Sequence, residues 1–542
     1  MKKFVTLCLA LALVMSLFTA CGPKDNTSKD PANSDKPGTN TQAPVDVDAA
    51  TQISWEDSVV RVAIDTDPGN LGPYEANNNG RKQTLYEVYE TLAAYQERGG
   101  EVAGVMAKEW REESTGVYII DLYDYITDSE GNKITADDVI WSITDGGFKQ
   151  FKRYAKYVES MEKINDYSVR MTLNSNDMGT LEHILCHCWI VDEEAYKASG
   201  DGMAVKPVAT GPYEIVEHVE GSKLVMEARD DYWQKKELRV NYQHQNVKTI
   251  EFIVISEAAQ KTIALETGTV DIVARTDYGA ASGLMSNDNF NIDTMVSHEN
   301  NTLIFNCNEA SVCSNELVRK AICYAIDTQG IVDGVFDGNA DAAWSVANEA
   351  YMDVDTAWAD EDYYSWNTEK AKELLKEAGY EKGCTVKVLC KTSEEYSRVC
   401  AIMQGYLQQV GITLEILQYD AALTETYRRE WDTFDMYIVA AGSPDYAIIN
   451  LSEKLGATMF ENGLNYCGIA DSKLEEMIQR ELSVTTHSDE GMTELHEYLR
   501  DNAYMYGLYH SYYFNIANDT VVKTVGDHNR WLLPGCCEYV WN

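Results

Sequence analysis

The chain has 542 residues, of which 45% are hydrophobic and 24% are charged, so it can bury several cores and is not disordered as a whole. Its 45 lysines and arginines stand against 87 aspartates and glutamates, which gives a formal net charge of −42 at pH 7. This excess of carboxylates argues against a sequence-independent grip on nucleic acid phosphates or on anionic lipid, because like charges repel.

Residues 1–20 have the pattern of a secretory signal peptide. Lys2 and Lys3 precede an apolar run from Phe4 to Phe18, which is too short for a stable membrane span. The stretch Phe18-Thr19-Ala20-Cys21 resembles a bacterial lipobox, so we expect cleavage before Cys21 and a diacylglycerol on its thiol. The acyl chains would hold the protein on the outer face of the cytoplasmic membrane. A plain cleaved signal followed by a chance cysteine is the alternative.

Residues 21–53 predict a flexible tether behind the lipid anchor. The segment contains four of the ten prolines, many small polar residues and no aromatic residue. Such a composition cannot bury enough apolar surface to offset the conformational entropy lost on folding. The folded body is therefore expected to begin near residue 54.

The body carries many cysteines without a readable pairing. Of the 13 cysteines in the chain, Cys8 falls in the signal and Cys21 is the expected lipidation site, which leaves an odd number with irregular spacing. A body of this size needs no disulfides to be stable, and the sequence alone cannot pair the thiols.

Short strands alternate with amphipathic helices along the body, the pattern of an α/β protein. The clearest unit has strands at 385–390 and 412–417 around a helix near 394–409, in which apolar residues recur at steps of three and four. This unit predicts a parallel βαβ crossover. A further strand is predicted at 434–440.

The sequence shows no motif of a known catalytic centre. It lacks a G-x-S-x-G elbow, a phosphate-binding loop and an H-E-x-x-H helix. The densest group of soft ligands is His183, Cys186, His187 and Cys188, but neighbouring residues seldom surround a metal without a second ligand pair elsewhere. We interpret them as core or rim side chains and expect neither a metal nor a cofactor.

Spaced motifs along the body resemble a known family. The segments are Leu85 to Leu92, Ala107 to Trp110, Gly131 to Val139, Thr210 to Val216, Asp231 to Trp233, Glu266 to Ile272, Val318 to Ala321, and Ala371 to Tyr380. Together they resemble the family 5 extracellular solute-binding proteins of ABC transporters, the oligopeptide- and dipeptide-binding group. Chance matches would not keep the family's order, so the agreement of the whole set is informative.

The resemblance implies a two-lobed, periplasmic-binding-protein-like (type II) α/β fold with a hinge cleft and an additional domain beside lobe I. The implied boundaries are 54–90, 205–298 and 512–542 for lobe I, 91–204 for the additional domain and 299–511 for lobe II. The chain should cross between the lobes near His298 to Thr302 and near His510 to Tyr513. The ligand would lie in the cleft between the lobes.

The resemblance also implies a ligand contact after the predicted strand that ends at Ala440. In peptide binders of this family an aspartate soon after a lobe II strand pairs with the α-ammonium of the ligand, and Asp445 matches that position. Ser443 and Tyr446 are neighbours within reach, and Trp344 is a candidate wall of the cleft. An aspartate in such a turn could instead bond only its own backbone.

The implied function is that of a monomeric substrate-binding lipoprotein, which captures oligopeptides or dipeptides and delivers them to an ABC permease. It would face the cell surface in a Gram-positive host and the periplasm otherwise. A sugar, a nickel chelate or a polyamine is an alternative ligand for the same role. A surface thiol hydrolase is the alternative class, but no Cys/His pair stands in a recognisable nucleophile context, so we expect no enzyme.

Overall fold

A computed structural model of the chain describes residues 54–75, 78–95, 102–442, 446–457, 459, 465–524 and 538–539. The expected signal peptide, the expected lipidation site Cys21 and the tether lie outside the described residues. Two of the four expected ligand contacts, Ser443 and Asp445, also lie outside them. The other two, Trp344 and Tyr446, are described.

The body is built of alternating strands and helices, as the sequence pattern predicts. The described strands are β1 (Val59–Ile64), β2 (Ala93–Tyr95), β3 (Val102–Gly104), β4 (Ala107–Ser114), β5 (Val117–Leu122), β6 (Val158–Asn165), β7 (Ser168–Leu173), β8 (Tyr213–Val219), β9 (Lys223–Ala228), β10 (Thr249–Val254), β11 (Ile272–Thr276), β12 (Phe290–Phe305), β13 (Ala340–Ala342), β14 (Cys384–Lys391), β15 (Ile412–Tyr419), β16 (Met436–Ala441), β17 (Met505–Asn518), β18 (Val522–Thr524) and β19 (Glu538–Tyr539). The described α-helices are α1 (Asn79–Thr84), α2 (Ala136–Trp141), α3 (Phe148–Ala155), α4 (Thr180–His187), α5 (Glu193–Ser199), α6 (Ala258–Glu266), α7 (Tyr278–Ala281), α8 (Glu316–Ala325), α9 (Thr328–Phe336), α10 (Thr368–Glu377), α11 (Glu394–Gln409), α12 (Ala421–Tyr427), α13 (Ala447–Leu455), α14 (Ser472–Leu482) and α15 (Asp489–Asn502). Within this part of the chain, no helix has the length and apolar character needed to cross a bilayer.

Two long strands run through the centre of the main sheet. This sheet has 11 described strands in the order β15-β14-β16-β12-β17-β11-β1-β10-β9-β8, and β13 pairs with β17 beside that path. The central strands β12 and β17 are antiparallel and pair from Phe290 with Asn518 to Ile304 with Met505. They therefore connect the two halves of the sheet.

Each half of the sheet has its own buried core. Val62 of β1 and Phe252 of β10 belong to one hydrophobic cluster. Val388 of β14 and Ile438 of β16 belong to another, which also holds the inner faces of α8 and α11. Two cores joined by continuous strands make a two-lobed α/β protein, as expected.

β14, α11 and β15 form the crossover that the sequence predicts. β14 and β15 pair in parallel over their whole length, and α11 spans the predicted helix. β16 begins at Met436, two residues later than the predicted strand. Before that point the Asp435 carboxylate, rather than a backbone carbonyl, accepts the Lys387 N–H at 2.8 Å.

A separate antiparallel sheet lies within the residues that the resemblance assigns to the additional domain. Its four strands have the order β4-β5-β7-β6. Ile120, Val169 and Met171 on its inner face are fully buried and join the same hydrophobic cluster as β1 and β10. This sheet therefore packs on the half of the main sheet that contains β1.

The pairing of the two central strands is irregular around Asn300, with a second register shift between Asn301 and Thr302. β12 changes register against β17 between Val296 and Asn300. Such a bulge bends a strand and increases its local twist. The first expected crossing, 298–302, falls here, and the second, 510–513, begins at His510, the register partner of Asn300.

Candidate functional site

The candidate site lies where β16 ends beside the irregular part of β12. Ala441, the last residue of β16, is the register partner of Asn300. The segment expected to contact the ligand, residues 443–446, follows directly and leads into α13. The strand that precedes the expected binding segment in the sequence therefore ends next to the expected hinge, although Ala441 and Asn300 lie far apart in the sequence.

The N-terminus of α13 is held by a distant carboxylate. Asp353 accepts the N–H groups of Ala447 at 2.6 Å and of Ile448 at 2.9 Å. Tyr446, at the N-cap position, makes no side-chain cap. Burial raises the pKa of the Asp353 carboxyl, and the two backbone hydrogen bonds partly offset that rise. The first turn of α13, and with it the end of the expected binding segment, is therefore fixed by a residue that sequence reasoning missed.

Tyr446 and Trp344 pack on one hydrophobic cluster. Both side chains are half-buried and lie against a core that contains Ile304 of β12 and Ile448 of α13. The structure thus places both described candidates around the same core in the second half of the sheet.

Trp344 also contacts the second expected hinge crossing. Its ring lies edge-on to the imidazole of His510, with 6.2 Å between centroids. His510 is only 1% exposed, and among the described residues neither of its ring nitrogens has a hydrogen-bond partner. Burial lowers the pKa of His510 to about 3, so the ring is neutral at physiological pH.

A buried polar chain connects α13 to Asn300 of β12, within the expected hinge. Lys454 donates to the side-chain oxygen of Asn450 at 3.0 Å, and Asn450 donates to the Tyr351 hydroxyl at 2.9 Å. The same hydroxyl accepts from Asn300 on β12 at 3.4 Å. Burial lowers the pKa of Lys454 to about 8. These four side chains line a small cavity with room for about one water molecule.

Carboxylates and phenols lie along the other face of the crossing strands. The Tyr513 hydroxyl donates to Glu299 at 3.1 Å, and the Tyr509 hydroxyl donates to Glu395 at 2.6 Å. Burial raises the pKa of Glu395, and the charges of Asp277 and Glu299 raise it further. These carboxylates contribute a negative field near the expected hinge, which Lys391 and the Arg275 guanidinium, 4.5 Å from the centre of the Tyr513 ring, partly offset.

The four-stranded-sheet region reaches across to the site. Met178 donates its N–H to the Leu482 carbonyl at 2.7 Å, and Val484 donates to the Asn176 carbonyl at 2.9 Å. Gly179 has a positive φ of 72°, and a Cβ there would lie only 3.0 Å from the ring of Tyr446. We call residues 176–179 the clasp, because they join this region to the half of the sheet that carries α13. Sequence reasoning missed it, since no local pattern marks the contact.

The soft-ligand group of the sequence lies on and just after α4. The ring of His187 stacks on Tyr154 with 4.9 Å between centroids, and Cys186 and Cys188 are buried in the first core. No set of three or more potential metal-ligating side chains converges in the part of the chain that the structure describes.

Comparisons with known proteins agree on one family. The model of the bacterial extracellular solute-binding proteins, family 5, middle part, matches residues 101–451. The oligopeptide-binding protein AppA of Bacillus subtilis is 25% identical over 397 residues, covering 66% of this chain and 68% of that protein.

Solved structures show the same fold. A putative peptide binding protein, AppA, from Clostridium difficile superimposes with a TM-score of 0.74 at 18% identity, covering 90% of this chain and 100% of that one. NikA from Brucella suis, solved with Fe(III)-EDTA, gives a TM-score of 0.76 at 20% identity, with coverage of 90% and 100%.

The family match spans most of the body and includes β12, β16, the expected binding segment and the start of α13. The two-lobed architecture agrees with that match over nearly the whole folded part. The chain belongs to the family 5 bacterial extracellular solute-binding proteins.

Proposed function

We propose that the chain is the substrate-binding lipoprotein of an ABC importer, and that it captures an oligopeptide or dipeptide between its lobes. The observation that supports this proposal is the pairing of Ala441 with Asn300: the strand that precedes Asp445 in the sequence ends beside the expected hinge. The names of the Bacillus subtilis and Clostridium difficile relatives support a peptide as the ligand.

In the proposed complex Asp445 pairs with the α-ammonium of the peptide. Asp353 already holds the first N–H groups of α13, so a capping role does not require Asp445. A carboxylate in a closed cleft makes a strong charge-assisted hydrogen bond to an ammonium group. Ser443 and Tyr446 would contact the peptide backbone, and Trp344 would form a wall of the cleft.

The field of Glu299 and Glu395, which Arg275 and Lys391 partly offset, supports a cationic ligand group. These carboxylates flank the expected hinge and would stabilise a cationic group in the cleft at a distance. The acidic net charge of −42 adds to that field.

Closure would bend β12 and β17, the strands that join the two cores. Lobe I would comprise 54–90, 205–298 and 512–542, lobe II 299–511, and the additional domain 91–204. The register change of β12 near Asn300 supports a bend at that place. Closure would be driven by ligand contacts that exist only in the closed state.

The anchoring part of the proposal rests on the sequence. Cleavage after residue 20 and acylation of Cys21 would place the protein on the outer face of the cytoplasmic membrane, with residues 21–53 as a tether to the body. It would act there as a monomer beside its permease. Incorporation of labelled palmitate into the wild type, and its loss in Cys21→Ala, would test the anchor.

We further propose that the protein binds its ligand without breaking covalent bonds. Seven of the nine described cysteines are buried, which suits core packing better than nucleophilic attack on a substrate. Peptide turnover abolished by a thiol alkylator would contradict this part.

The ligand is tested by native mass spectrometry of freshly purified protein, followed by calorimetric titration with peptides. Asp445→Asn should weaken peptide binding by about 2–5 kcal/mol while leaving the fold intact, because it leaves a buried ammonium unpaired. Asp432→Asn, an exposed aspartate of the same lobe, is the matched control and should bind like the wild type. Retention of only a sugar, a polyamine or a nickel chelate would reject the peptide.

A further inference from the structure

Two buried thiols of the second core lie in contact. Cys390 at the end of β14 and Cys400 on α11 are both fully buried, and their sulfur atoms are 3.9 Å apart. A disulfide requires about 2.05 Å between the sulfurs. Bond formation therefore needs the two sulfur atoms to move about 2 Å closer together.

A second pair lies at the end of β12. The Cys307 N–H donates to the Cys467 carbonyl at 2.7 Å, which brings the two backbones side by side. The Cys307 thiol donates to the Phe305 carbonyl at 3.6 Å, and the Cys467 thiol donates to the Tyr504 carbonyl at 3.5 Å. Cys467 is fully buried, whereas Cys307 is only half-buried.

We propose that Cys307 with Cys467, and Cys390 with Cys400, are oxidised to two intramolecular disulfides that staple the second lobe. Each bond forms by thiol–disulfide exchange with a small-molecule disulfide such as oxidised glutathione. One thiolate attacks the reagent and releases one reduced thiol, and the partner cysteine then displaces the second. Two protein thiols thus lose two electrons and two protons, and the reagent is reduced to two thiols.

The Cys307 pair should react first. The Cys467 thiol and the nearby Arg319 lower the pKa of Cys307, although burial opposes them, while burial raises the pKa of Cys467. Cys307 is therefore the better nucleophile, and it is also the less buried residue of the pair. The Cys390 pair is enclosed by the core and reacts only when α11 opens or during folding.

The two bonds would fix different parts of the lobe. The first ties the segment before α14 to the end of β12, across a long stretch of chain that includes α13. The second closes a loop of only 10 residues between β14 and α11. In the chain-entropy model the longer loop gains more stabilisation. The inference rests on the proposed function in one respect, because export would expose the protein to the oxidant. The pairing of the cysteines does not depend on which ligand the protein binds.

Peptide mapping of the full chain tests the proposal. The protein is refolded from denaturant in a glutathione redox buffer, so that the thiols are accessible before the core forms. The remaining free thiols are then alkylated, and the protein is digested and analysed by mass spectrometry without reduction. Crosslinked peptides joining 307 to 467 and 390 to 400 are expected. Full alkylation of these four cysteines, or disulfides to other partners, would overturn the proposal.

Variants separate the two bonds. Cys390→Ala should lose only the bond to Cys400, and Cys307→Ala only the bond to Cys467. Cys323→Ala, an equally buried cysteine on α8, is the control and should keep both bonds. The oxidised wild type should also denature at a higher denaturant concentration than the reduced form; equal midpoints would overturn the stapling role. If a variant fails to fold, the wild-type map still decides the pairing.

Discussion

The Tyr232 hydroxyl donates to the Glu90 carboxylate at 2.6 Å, although 142 positions separate the two residues. The indole N–H of Trp233 donates to the same carboxylate at 2.8 Å. Glu90 belongs to the first family-like segment of the sequence and Tyr232 to a much later one. These two family-like segments therefore meet in one buried core through the Glu90 carboxylate.

Removing this carboxylate should destabilise the fold. Glu90→Ala leaves three buried donors, on Tyr232, Trp233 and Gln243, without this acceptor, and we expect the free energy of unfolding to fall by about 3 kcal/mol or more. Urea denaturation measures the change. Glu109→Gln, on the exposed face of β4, is the control and should have little effect. A Glu90→Ala protein as stable as the wild type would show that the motif network contributes nothing.

Lys454 predicts a rise of stability at alkaline pH. Burial lowers the pKa of Lys454 from 10.5 to about 8. Between these pH values the unfolded chain binds more protons than the folded chain, so the free energy of unfolding rises with pH. Lys454→Met should therefore be more stable at neutral pH, by up to about 3 kcal/mol. Urea denaturation at several pH values should show this advantage shrinking toward pH 10.5. A constant difference would contradict the buried charge.

His510 predicts a loss of stability in acid. Burial lowers its pKa from 6.5 to about 3, so the unfolded chain binds more protons in that window and stability falls as the pH drops below 6.5. In His510→Gln the slope of unfolding free energy against pH should be shallower between these values. Denaturation at pH 7, 5 and 4 compares the slopes. Identical slopes in variant and wild type would mean that His510 is solvated.

Gly179 tests the clasp. Gly179→Ala places a methyl group against Tyr446, whereas Gly221→Ala has nearly the same backbone angle, φ 71° against 72°, and nothing within 4 Å. Both variants should lose about 1 kcal/mol of stability, because alanine is strained in the left-handed conformation. Only Gly179→Ala should lose more, through the close contact with the Tyr446 ring. Peptide affinity should also fall in Gly179→Ala alone. Equal losses of stability and of peptide affinity in both variants would show that the clasp does not influence the binding site.

Local patterns predicted the regular elements of the body well. The crossover β14-α11-β15 follows from apolar residues spaced for one helix between two short apolar runs, and both its helix and its parallel pairing are confirmed. The sequence pattern predicts the start of β16 two residues too early. The reason is that the Asp435 side chain accepts the Lys387 N–H, a contact that periodicity does not reveal. The expected ligand contacts Ser443 and Asp445 stay predictions.

The amino-acid sequence by itself determined the α/β class and the family, because periodicity and the order of the motifs can be read along the chain. Only the tertiary structure decided that Asp353 holds the start of α13, that Lys454 reaches the hinge through Asn450 and Tyr351, and that Cys307 meets Cys467. These contacts form when distant segments are packed into one core, and the buried polar groups must then find partners wherever the packing brings them.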